Sequence, residues 1–269
     1  MAQEEKIFRI AQRFLEEGSV ESAAPHGSGH INDTYLLVCK TNNGYKKYTM
    51  QRINHEVFKK PWELMENVVN VTGFLQKKIA EAGGDAARET LHVVPAKDGA
   101  SYCKWEDGTY WRMYEFIDGA TSYDEVKEPK DFYESAVSFG HFQNLLSDYP
   151  AETLHETIPD FHNTADRLKN FKKALAEDRA HRAEQVQEEI RFVLDREKDC
   201  HVICDMLSSG EIPLRVTHND TKLNNIMIDD ETGKGICVID LDTVMPGSAL
   251  YDYGDSIRFG ASTGAEDET

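Results

Sequence analysis

Thr217-His218-Asn219-Asp220-Thr221-Lys222-Leu223-Asn224-Asn225 opens the stretch that decides the fold. It runs straight into Ile226-Met227-Ile228 and ends, past a polar turn over 229–235, at Ile236-Cys237-Val238-Ile239-Asp240-Leu241-Asp242-Thr243. The two short apolar runs read as strands of a hairpin, and a hairpin of that length sets Asn225 and Asp240 side by side at one end. Both residues offer hard oxygen ligands, the kind magnesium prefers. Asp220 can accept a hydroxyl proton, and Lys222, two residues on, can reach a transferring phosphoryl group and balance its charge. His218 buttresses the loop rather than acting as base. Asp242 faces the same side as Asp240 if strand alternation continues, which makes it a second candidate metal ligand.

Composition narrows the setting. A chain of 269 residues can bury a large core as one domain or two lobes. The formal net charge of −18 argues against nucleic acid and against an anionic membrane surface. The five cysteines, Cys39, Cys103, Cys200, Cys204 and Cys237, are scattered and form no Cys-x-x-Cys pair. They read as free thiols in a reducing cytosol, so a cytoplasmic location is expected. The first residues lack a signal peptide's apolar core, and no apolar run reaches transmembrane length. No obligate protein partner is evident.

These residues resemble the aminoglycoside phosphotransferase and choline kinase superfamily of small-molecule kinases, and within it the N-acetylhexosamine 1-kinases. The resemblance is carried by Gly29-His30-Ile31-Asn32-Asp33-Thr34-Tyr35, Gln51-Arg52-Ile53-Asn54, Met65-Glu66-Asn67-Val68, the 218–225 loop and Asp240-Leu241-Asp242-Thr243-Val244-Met245-Pro246-Gly247. It implies an α+β, bilobal protein-kinase-like fold. An antiparallel N-terminal nucleotide-binding lobe with one long helix would span 1–117, and a mostly helical catalytic lobe 118–269. It implies ATP as phosphoryl donor, Mg2+ as cofactor, and a small-molecule acceptor, an amino sugar phosphorylated on its anomeric hydroxyl. It also implies further helices carrying part of the sugar site, so the chain reads as truncated at its C-terminus.

Taken in order, residues 3–17 place Ile7, Ile10, Ala11, Phe14 and Leu15 at helical spacing. A strand, a glycine turn and a second strand follow. Gly27, Ser28 and Gly29 let backbone amides close on a polyphosphate, with Asn32 and Thr34 beside them. Residues 45–53 form the next strand. Strand parity sends only one of Gln51 and Arg52 into the cleft; Arg52 is favoured, because its planar fork grips phosphate. A long helix begins at Pro61, with Trp62, Met65, Val68, Val69, Thr72, Leu75 and Ile79 as its apolar face. Glu66 is the expected partner of Arg52, with Glu63 as the alternative. Residues 91–95 and 111–117 read as strands. The resemblance makes the segment from Glu115 to Ile117 the hinge that meets the adenine edge.

The pattern turns helical from Pro129. Two charged helices are expected over 164–180 and 182–207. Past the metal loop, Asp252 or Asp255 could hold the catalytic loop's backbone from behind, or simply cap a helix. Three rival readings remain. One is a kinase for another small alcohol such as choline, an aminoglycoside or methylthioribose. Another is a non-catalytic pseudokinase. The third is a metal-dependent hydrolase built on His218, Asp220, Asp240 and Asp242.

Overall fold

A computed structural model describes residues 3–27 and 31–262. Helix α1 (Gln3–Ala11) lies under an antiparallel sheet formed by β1 (Ser19–Pro25), β2 (Asp33–Thr41), β3 (Gly44–Ile53), β4 (Cys103–Lys104) and β5 (Tyr110–Glu115), in the order β1-β2-β3-β5-β4. Between β3 and β4 run the long helix α2 (Pro61–Glu81) and the short α3 (Ala86–Glu89). This mixture of an antiparallel N-terminal sheet with a largely helical remainder is the expected fold class.

The N-terminal helix is shorter than the spacing predicts. Past Ala11 the chain tightens into i→i+3 bonds, from Arg13 N–H to the Ile10 carbonyl and from Phe14 N–H to the Ala11 carbonyl. The Arg13 carbonyl instead accepts the Lys97 N–H at 2.8 Å. Phe14 and Leu15 still reach the core from this turn. The expected strand at 91–95 is reduced to a bridge between Val93 and Tyr114.

The sheet has two unlike faces. Tyr35, Leu37, Cys39, Met50, Trp111 and Met113 pack with α1 into one apolar cluster. The opposite face puts Ile53 and Tyr114 into a larger cluster with α2 and with Phe139, Phe142, Val216, Ile226 and Val238 from further along the chain. On α2 the buried residues include Leu64, Met65, Asn67, Val68 and Val71, whereas Trp62 and Val69, expected on the apolar face, are exposed. The helix is wedged between the sheet and the C-terminal part, so its buried arc is wider than one stripe and leaves Trp62 and Val69 outside it.

After β6 (Ala120–Thr121) come α4 (Pro129–Leu145), α5 (Thr164–Glu177), α6 (Gln187–Asp195) and α7 (Asp199–Ser209). The single helix expected over 182–207 is thus a 3-10 turn and two helices. α5 stops at Asp178, which takes a left-handed conformation. α7 docks back on the start of α5, where the Thr164 hydroxyl donates to the Cys200 carbonyl. Then follow β7 (Arg215–Thr217), β8 (Ile226–Asp229), β9 (Gly235–Val238), β10 (Met245–Gly247) and α8 (Ala249–Gly260). β8 and β9 form the expected hairpin, and β7 pairs with β10. Among the described residues no helix is long and apolar enough to cross a membrane.

Candidate active site

The 218–225 loop leaves β7 and is held from behind by α8. Asp252 accepts the backbone N–H of His218 at 2.9 Å and of Asn219 at 2.7 Å, and the Gln143 side chain at 2.9 Å. Asp255 accepts the Thr221 N–H at 2.8 Å. Both aspartates left open by the sequence therefore brace the loop, and the cap of α8 is Ser248 instead. The bracing keeps Asn219 at φ 67°, a left-handed conformation costly for most residues. Its side chain repays that by donating to the Thr217 and Thr243 carbonyls.

His218 is sealed between the edges of Phe139 and Phe142. Its Nε2 donates to the Ile239 carbonyl at 2.9 Å, and its Nδ1 accepts the Asp220 N–H at 3.3 Å. Both ring nitrogens are engaged, so neither is free to act as base or metal ligand in this arrangement. This removes the hydrolase arrangement that needed it. The Asp220 carboxylate is partly exposed, with one oxygen accepting Asn225 Nδ2 at 3.0 Å and the other paired with Lys222 Nζ at 3.2 Å. Asn225 Nδ2 also reaches the Asp220 carbonyl at 2.8 Å. Its amide hydrogens are thus spent on Asp220, and Oδ1 is the atom it can offer a cation.

The hairpin delivers Asp240 to the same end: the Ile239 N–H donates to the Asn225 carbonyl at 2.9 Å. Asp240 then turns left-handed, at φ 55°, and residues 241–243 form one 3-10 turn. Strand alternation ends there, and Asp242 does not share the direction of Asp240. Asp242 is buried; one carboxylate oxygen pairs with Arg112 and the other accepts Asn32 Nδ2 at 2.7 Å. The expectation that Asp242 is a second metal ligand is therefore corrected, because both of its oxygens are committed. Burial, and then the charge of Asp242, push the Asp240 carboxyl up to about 6, against the pull of Arg112. Asp240 is exposed on one side, and water there moderates the push.

Magnesium fits this donor set. It is commonly held by one or two protein oxygens and completed by waters and substrate phosphates. Asn225 Oδ1 and the Asp240 carboxylate supply that number. Among the described residues no group of three or more His, Cys, Asp or Glu is arranged to hold a metal by itself.

The N-terminal face departs more from expectation. Arg52 pairs with Asp33 at 2.6 Å on the α1 side of the sheet, in register with Trp111. Gln51 is the residue turned inward. Its amide donates to Thr34 Oγ1 at 2.9 Å and accepts from Arg112 Nε at 2.9 Å. Parity holds, but α1 claims the face of Met50 and Arg52, so Gln51 is the member turned inward. Glu66 does not meet Arg52. It is exposed and faces His155 at 3.0 Å, while Glu63 pairs with Lys60.

Asn32 is a strut rather than a nucleotide contact: besides Asp242, it accepts the Asn54 N–H at 2.9 Å. Thr34 is engaged with Gln51. Gly27 sits in a left-handed turn with open space around it, and Ser28 and Gly29 lie outside the described residues. At the hinge the Glu115 side chain pairs outward with Lys46, its N–H goes to the His92 carbonyl, and Ile117 is buried in the core. What remains for a nucleotide edge is backbone beside Phe116, whose ring meets that of His26 at 5.7 Å.

Two residues that matter were missed. Arg112 is fully buried, and the charge of Asp242 carries its pKa above the usual value despite the opposing effect of burial. Its signal was a charge inside the apolar run Trp111-Arg112-Met113-Tyr114. Asn67, also buried, accepts the His155 N–H and donates to the His155 and Val244 carbonyls, tying α2 to the C-terminal part. A cavity of about 800 Å³ between α5 and α6 is lined by none of the site residues.

Comparison with known proteins bears on this arrangement. The profile of the phosphotransferase enzyme family matches residues 22–268. An aminoglycoside phosphotransferase from Alicyclobacillus acidocaldarius superposes with a TM-score of 0.55 at 13% identity, over 94% of this chain and 71% of that one. An ethanolamine kinase of Plasmodium vivax gives 0.52 at 18% identity, over 91% and 64%. A choline kinase from Cryptosporidium parvum gives 0.51 at 15%, over 91% and 66%. At these identities the structures speak to the fold.

Proposed function

The chain belongs to the phosphotransferase enzyme family, and from that premise we propose that it transfers the γ-phosphoryl group of ATP to the anomeric hydroxyl of an N-acetylhexosamine. The observation that carries the reading is the partly exposed Asp220 carboxylate, set by Asn225 and Lys222 beside the end of the hairpin that bears Asp240. Asp220 takes the proton of the acceptor hydroxyl, whose oxygen forms a bond to γ-phosphorus as the bond to the bridging β-oxygen breaks and ADP leaves. Lys222 balances charge on the moving phosphoryl. Magnesium, held by Asn225 and Asp240, would neutralise the phosphates. Positioning and electrostatics supply the rate, with no covalent enzyme intermediate.

The amino-sugar acceptor follows from the sequence resemblance. One local feature supports a ring-shaped acceptor. His162 lies between Phe161 and Tyr251, with ring centroids 4.8 and 5.0 Å away. It donates to the Asn219 carbonyl at 3.3 Å, one residue before Asp220. Aromatic faces beside the base suit a small molecule with an apolar face and polar edges. The fold is shared with proteins named for aminoglycosides, ethanolamine and choline, so these are the acceptors to set against it.

The test is magnesium-dependent ADP release with N-acetylglucosamine, N-acetylgalactosamine, choline, ethanolamine and kanamycin. Release with the two amino sugars alone is expected. Release with another acceptor keeps the mechanism and discards the sugar. Nucleotide binding without release for any acceptor supports a non-catalytic binder.

A further inference from the structure

Arg112 poses a physical question that the catalytic loop does not answer. A guanidinium sealed inside a protein must be paired and hydrogen-bonded, or its charge is prohibitive. Here it projects from β5 on the face shared with α2 and the C-terminal part. Its Nη1 meets the Asp242 carboxylate and lies 4.0 Å from the Met65 sulfur. Its Nε is fixed by Gln51, and its plane sits 5.2 Å from the centre of the Tyr114 ring. Asp242 is held at two further points, by Asn32 on its carboxylate and by the Thr157 hydroxyl on its carbonyl at 2.8 Å. The next residue, Thr243, donates to the His218 carbonyl at 2.7 Å and accepts from Asn219. The 241–243 turn is thus clamped to the N-terminal sheet at one end and to the catalytic loop at the other. Asp240 is the residue immediately before that clamp.

We propose that the Arg112–Asp242 pair is the positioning device of the metal site. It holds the turn so that Asp240 presents its carboxylate to a magnesium-bound nucleotide, and it couples that geometry to the N-terminal sheet. This rests on the kinase reading above. The physical reason is the strictness of magnesium, whose near-octahedral shell tolerates little displacement of a ligand. Groups that orient a ligand therefore set metal affinity without touching the metal.

The experiment compares wild type with R112M/D242N and with R112K. The double variant removes both charges together, so neither is left buried alone, and Asn at 242 keeps an acceptor for Asn32. A fluorescent ADP analogue is titrated with magnesium and again with a chelator, and circular dichroism reports the fold. In chelator the double variant is expected to bind within about threefold of wild type. The extra affinity conferred by magnesium is expected to fall by about tenfold or more, the range typical of residues that orient metal ligands. R112K keeps the charge but not the two-point fork, so an intermediate loss is expected.

A folded double variant that keeps the full magnesium gain overturns the proposal. If the double variant does not fold, an undiminished gain in R112K overturns it equally. Wild type that binds no nucleotide under either condition removes the kinase reading, and this inference with it.

Discussion

The catalytic loop and the N-terminal face of the cleft are built on opposite principles. From 217 to 255 the working groups are near neighbours in sequence. Asp220, Asn225 and Asp240 are joined by a hairpin, and Asp252 braces the loop from some 30 residues on. Across the cleft, Asp242 is met by Asn32 and by Arg112, 210 and 130 residues away. Local geometry constrains the first region almost completely. The second depends on which sheet face each helix covers, and a residue can carry the right chemistry there yet point the wrong way. Arg52 shows this: a phosphate-gripping side chain in the expected strand, turned toward α1 and paired with Asp33.

The contrast can be broken or sharpened by substitution. The largest effect is expected in the local region. Asp220→Asn removes the proton acceptor and should lower kcat by roughly 10²–10⁴-fold, with nucleotide affinity changed only a few-fold. Steady-state kinetics alongside nucleotide titration checks this, and near-normal turnover would end the base assignment. Asp252→Ala strands three donors, the N–H groups of His218 and Asn219 and the Gln143 amide. At about 1–3 kcal/mol for each unsatisfied buried group, with partial rescue by water, a loss of about 3–5 kcal/mol is expected in denaturant unfolding. A loss under about 1 kcal/mol would show that the loop holds itself.

Asp240 gives a smaller, pH-dependent effect. Its carboxyl is raised to about 6, so a proton competes with metal below that value and the charged ligand prevails above it. Apparent magnesium affinity, read by calorimetry with ADP present, should weaken by about fivefold from pH 6 to pH 5 and level off above about pH 7. A flat profile across that range would mean that Asp240 is not the limiting ligand. The smallest effects belong to the two residues the sequence favoured. Arg52→Ala and Glu66→Gln each break an exposed pair, worth about 0–1 kcal/mol. Each should leave the KM for ATP within about twofold. A hundredfold rise for Arg52→Ala would restore it to the phosphate site and undo the contrast.

The legible part of the molecule was legible because its signals are local. The hairpin can be read from two apolar runs around a polar turn, and hairpin geometry alone brings Asn225 and Asp240 together. The resemblance to kinase-like folds offered Asp252 or Asp255 as a brace, and both accept backbone N–H groups of the loop, since such groups need acceptors once buried. The direction of Asp242 was not legible. Alternation holds only while the chain stays extended, and Asp240 leaves it at a left-handed φ of 55°.

Sequence by itself determined the fold class and the hairpin that brings Asn225 and Asp240 to one end. Tertiary structure alone decided which of Gln51 and Arg52 faces inward. It also decided that Asn67 is buried in α2 while Glu66 is exposed, and that the buried cation is Arg112. The physical reason is that a strand or a helix states its two faces, but not which one a neighbour will cover. That choice is made when α1 seals one side of the sheet and α2 is wedged against the other.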